Sequence, residues 1–93
     1  MIYSMIENRI EEIKYKIRTT EIYKAQIETF KDMIANGELT KEKDPDVIRY
    51  YNEWKEFDFN SILHKYRKEL KQLEIMLKQE RLNEDFKFEQ EID

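Results

Sequence analysis

The residues able to do chemistry are few and scattered. His64 is the single histidine, Ser4 and Ser61 are the only serines, and the 93 residues include no cysteine. A nucleophilic serine needs a base within reach and a sharp turn that exposes its hydroxyl. Neither serine lies in such a motif. No second His or Cys accompanies His64 and no Glu-x-x-His spacing precedes it, so a transition-metal site lacks its ligands. One glycine cannot build a phosphate-cradling loop. Carboxylates are abundant but fall mostly at outward helical positions, where Glu12 and Lys16, or Glu74 and Lys78, make i,i+4 ion pairs worth only ~0.2–0.5 kcal/mol each. The expectation is a protein that is not an enzyme, with no cofactor and no metal.

Two constellations remain. The first is aromatic: Tyr50, Tyr51, Trp54, Phe57 and Phe59 place five rings in ten residues. Such a cluster forms a core or, because Trp and Tyr dominate interface energetics, a partner-binding patch. Phe86 and Phe88, set among acids near the C-terminus, extend the candidate partner-binding set. The second is cationic. Lys14, Tyr15 and Arg18 fall opposite Tyr66, Arg67 and Lys71 if two long helices fold back on each other. Cations beside aromatic faces suit phosphates and stacked bases. These six residues are the candidate site for a nucleotide-type ligand; the plainer alternative is a solvated face.

The elements that must position these groups are helices. Gly and Pro occur once each, far below average usage of roughly 7% and 5%, so the many turns of a sandwich, barrel or Rossmann unit are excluded. Ninety-three residues bound the chain to one domain. The pattern predicts a helix over 2–35, a connector over 36–44 opened by the turn signal Asn36-Gly37, and a second helical stretch from Pro45. Asp44 is the expected N-cap, with Pro45 at the first helical position and Asp46 beside the positive dipole end.

The apolar stripes add detail. Ile6, Ile10, Ile13 and Ile17 step by 4-3-4, and so do Tyr23, Ile27, Phe30 and Ile34. The six-residue step between them swings the stripe by roughly 100°. In the second stretch, Val47–Phe57 and Phe59–Leu77 present different faces, with the change at Asp58-Phe59-Asn60-Ser61. The expected fold is therefore all-α: an antiparallel helical hairpin whose second helix is bent or broken into 45–57 and 59–82, followed by an acidic tail over 83–93. Ile75, Leu82 and Phe86 form a further stripe away from Leu63–Leu77. A helix apolar on two faces must bury both, so the hairpin is expected to assemble into a small oligomeric helical bundle.

Charge is unevenly placed. Residues 1–82 are neutral, and the whole net charge of −4 lies in 83–93. That argues against nucleic acid as a partner. No apolar run approaches the ~20 residues of a membrane span, and the chain reads as cytoplasmic. The Ile/Lys/Asn/Tyr/Phe-rich composition matches an AT-rich genome, such as a low-GC bacterium or its phage. These features predict a small inhibitor or regulator, in the host cytoplasm if phage-encoded, that binds itself and blocks a protein partner. The alternative is an oligomeric anti-defence protein that sequesters a nucleotide-type second messenger.

Overall fold

The computed structural model describes the backbone of residues 2–92 and the side chains of residues 3–83. It is all-helical, with three helices: α1 (Ile2–Ala35), α2 (Pro45–Trp54) and α3 (Phe59–Ile92).

Local chemistry explains each boundary. Gly37 adopts φ +77°, the left-handed conformation that a Cβ disfavours. This lets the Glu38 N–H reach the Met33 carbonyl (2.9 Å) and the Gly37 N–H reach the Ile34 carbonyl (3.1 Å). The pair is a Schellman closure, which satisfies carbonyls the helix leaves open. α2 begins at Pro45, where the missing N–H costs nothing, and Asp46 in its first turn pairs with Arg49 (3.1 Å). Asp44 stands at the N-cap without capping through its side chain. Its carboxylate turns back to the Thr40 N–H instead (3.5 Å).

α2 ends at Trp54 rather than at 57. The Lys55 N–H still reaches the Tyr51 carbonyl (2.8 Å), but the Phe57 N–H turns to the Trp54 carbonyl (3.1 Å). Asp58 is the reason. Its carboxylate accepts the Ser61 N–H (3.1 Å) and the Ser61 hydroxyl, which places it as the cap of α3. The second helical stretch is thus broken, not bent. α3 then runs to Ile92, ten residues past the expected end at 82. Residues 83–92 contain neither Gly nor Pro and are rich in Glu, Gln and Lys, which tolerate helix well.

Contacts divide the chain, which the sequence reads as one domain, into two compact units: unit 1 is residues 1–17 with 64–93, and unit 2 is residues 18–63. In unit 1 the buried side chains are Ile6, Ile10 and Ile13, the last wholly inaccessible. Leu70, Leu73 and Leu77 of α3 are half-buried. Paired residues run in opposite order along the two segments. Arg81 donates to the Tyr3 hydroxyl, Arg9 meets Glu69 at 2.8 Å, and the Lys16 ammonium lies 6.0 Å from the Tyr66 ring. In unit 2 Ile27 and Leu63 are buried, with Phe30, Ile34, Val47, Ile48, Tyr50 and Ile62 half-buried around them.

One expectation about α1 changes. The 4-3-4 pattern places Tyr23 inward, yet Tyr23 is 48% exposed. Thr19, Thr20, Lys24 and Ile27 are sheltered after Ile17, and the last three continue the 3-4-3 spacing in phase. The stripe does not swing; two polar residues occupy its inner positions and a tyrosine is left outside.

Candidate functional site

The aromatic residues of unit 2 form a continuous series of ring contacts. Phe30 of α1 meets Tyr50 edge-on (6.2 Å, 84°), and Tyr50 meets Trp54 one turn along α2 (6.5 Å, 44°). Trp54 meets Phe57 in the linker (5.2 Å, 71°), and Phe57 meets Phe59 at the start of α3 (4.7 Å, 69°). Edge-to-face geometry suits the ring quadrupoles and is worth ~0.5–1.5 kcal/mol per pair beyond area burial. The break between α2 and α3 makes the series possible. A continuous helix places 57 and 59 on different faces, since residues two apart do not face each other.

The Asp58 cap fixes that break. The Ser61 hydroxyl, and then the Ser61 and Asn60 backbone N–H groups, hold the Asp58 carboxyl below the ordinary carboxylate range. These donors stabilise its charged form.

Tyr23, Tyr50, Trp54 and Phe59 line a cleft of about 350 Å³. Trp54 is 39% and Phe57 40% exposed, and Ile22 beside Tyr23 is 66% exposed. Gln26, Phe30, Asp46 and Val47 border a neighbouring hollow of about 410 Å³ that shares Tyr50. A further cleft, about 500 Å³, runs from Lys41 to Glu53 along α2, and its one arginine, Arg49, is tied to Asp46. Of the candidate partner-binding residues, Tyr50, Trp54 and Phe57 therefore sit together. Tyr51 is half-buried on α2. Phe86 and Phe88 lie outside the described side chains. Tyr23 belongs to the cleft and was missing from the set, because the hydrophobic spacing assigns it to the core.

Five of the six candidate ligand residues fall in one unit. Lys14, Tyr15, Tyr66, Arg67 and Lys71 belong to unit 1, and Arg18 belongs to unit 2. Lys14 lies 3.8 Å from Glu11, and Lys16 lies 3.4 Å from Glu12. Arg9 is shared between Glu12 (3.0 Å) and Glu69 (2.8 Å). That guanidinium holds the Glu12 carboxyl below its ordinary range, and the hydrogen bonds from Arg9 to Glu69 and Glu12 raise the Arg9 pKa in turn. Tyr15 is 64% exposed, and none of the six lines the three clefts described above.

Among the described residues no helix is long and apolar enough to cross a membrane, and no group of three or more His, Cys, Asp or Glu is placed to hold a metal ion. Comparison with protein-family models, with curated proteins and with solved structures finds no match to this chain.

Proposed function

We propose that the chain is a non-enzymatic helical interaction protein that binds and blocks a protein partner through the ring surface of unit 2. The supporting observation is the series Phe30–Tyr50–Trp54–Phe57–Phe59, which is internally braced by ring contacts yet leaves Trp54 and Phe57 two-fifths exposed beside an apolar-walled cleft. Rigid, partly exposed aromatic residues make strong anchors because little rotamer freedom is lost when they bind. The reading keeps an antiparallel hairpin, assembly into a small bundle and a cytoplasmic location as parts of the proposal. The opposite order of paired residues in unit 1 supports the antiparallel sense. A nucleotide-type ligand is the weaker reading, because Lys14 already faces the Glu11 carboxylate.

The test is affinity capture with the full chain, run in parallel with Trp54→Ala and Phe57→Ala. The expected result is a protein retained by the wild type and lost with both variants, then reproduced with purified components. Equal retention by wild type and variants, with helicity unchanged, overturns the reading.

A further inference from the structure

We infer that α3 carries a self-complementary seam, and that its occupant is the α3 of a second copy lying antiparallel to it. The inference stands on unit 1 and is independent of the reading of unit 2.

The first observation is apolar. On the α3 segment of unit 1, Ile75 is 50% and Leu82 61% exposed, with Met76 beside them at 47%. Ile75 and Leu82 are seven residues apart, two turns along one face. The inner face of the same segment is already occupied by half-buried Leu70, Leu73 and Leu77. Unit 1 buries only Ile6, Ile10 and Ile13 among its described residues. So small a core gains much from covering a second apolar face.

The second observation is charge, and it selects the occupant. Residues 64–73 carry Lys65, Arg67, Lys68 and Lys71 against Glu69, a net +3 with His64 neutral. Residues 74–83 carry Glu74 and Glu80 against Lys78 and Arg81, a net of zero. Residues 84–92 carry Glu84, Asp85, Glu89 and Glu91 against Lys87, a net −3. The segment is thus basic, neutral and acidic in sequence, with Ile75 and Leu82 in the neutral third. Turned end for end about the midpoint between residues 78 and 79, it meets its own complement: basic end on acidic end, and Ile75 opposite Leu82.

The helix gains nothing from this order by itself. α3 has no acidic residue in its first turn and no basic residue in its last, and acids at a helix C-terminus oppose the macrodipole. Lys65, Lys68 and Lys71 are exposed, and among the described residues no carboxylate pairs with them. An antiparallel copy supplies those partners and opposes the two dipoles. At ~1.5 Å per residue, the segment from 64 to 92 offers roughly 43 Å of seam.

The test is the mass in solution of the full chain, by light scattering across the micromolar range at low and high salt. The expected species is a dimer, twice 11.6 kDa, that weakens as salt screens the end-to-end attraction. Leu82→Glu gives a monomer. Lys68→Glu/Lys71→Glu and Glu84→Lys/Glu89→Lys each give a monomer alone and a dimer when mixed in equal amounts. Circular dichroism confirms that each variant keeps its helicity. A wild-type monomer throughout, a dimer indifferent to Leu82→Glu, a dimer tightened by salt (the sign of parallel helices), or no recovery on mixing each overturns the inference.

Discussion

Replacing Ile13 by alanine is the sharpest probe of the unit 1 core. Ile13 is the one described side chain with no accessible surface, flanked on its stripe by Ile6 and Ile10 at 6% each. Core Ile→Ala changes cost ~2–5 kcal/mol, through lost transfer energy and the cavity left behind. Complete burial puts Ile13→Ala in the upper part of that range, about 3–4 kcal/mol. A chain of this size has a total stability of roughly 5–15 kcal/mol, so the variant loses a large share of it. At ~4–8 °C per kcal/mol for a 60–100-residue domain, the midpoint falls by about 15–25 °C. The assay is thermal unfolding followed by far-UV circular dichroism. Two controls calibrate it. Ile13→Val removes one methyl and costs about 1 kcal/mol. Ile22→Ala, at a site 66% exposed, shifts the midpoint by little. Equal losses from Ile13→Ala and Ile22→Ala would refute the assignment of the core to the Ile6–Ile10–Ile13 stripe.

Further expectations follow from local geometry. Gly37→Ala costs about 1 kcal/mol, all of it conformational, because a Cβ there meets nothing within 4 Å; a chemical-denaturation midpoint unchanged by the substitution contradicts the left-handed turn. Asp58, whose pKa is lowered in the fold, contributes stability that is present above its unfolded pKa of about 3.9 and is lost as pH falls through the lower folded value. Asp58→Asn, a neutral cap, removes that component, so its melting points between neutral pH and about pH 3 fall less steeply than the wild type's; parallel curves contradict it. Arg9→Ala lets the Glu12 carboxyl return toward its ordinary range, because Arg9 is the main cause of its depression; an NMR titration that finds no rise in the Glu12 pKa rejects the pairing.

Much of the local architecture is legible in the residues themselves. Gly37 and Pro45 punctuate the chain because one needs positive φ and the other starts a helix without a donor. The isoleucine spacing marks the buried face of unit 1. The change of spacing after Ile17 falls where the contacts divide the chain, between residues 17 and 18, but for a different reason from the one the spacing suggests. Hydrophobicity alone points Tyr23 inward. Packing instead shelters Thr20 and Lys24, since a long aliphatic stem can be buried while its ammonium stays wet. Helix ends were harder. Trp54 and Phe57 look continuous on a helical wheel, and only the competition between α2 and the Asp58 cap decides that α2 stops first. The ring series was visible as composition, but its contacts depend on that break. The cationic residues read as one group because spacing records cations on two helices and not the Glu11 carboxylate that meets Lys14.

Trp54 is the sole tryptophan, so intrinsic fluorescence reports on the proposed binding surface alone. The most direct measurement is acrylamide quenching of Trp54 in the free chain and in complex with the protein it captures. Free Trp54, 39% exposed, is quenched readily. On binding, its emission shifts to the blue and the quenching constant falls several-fold, as desolvation of an interface anchor requires. A complex in which Trp54 keeps the emission and quenching of the free chain contradicts the account.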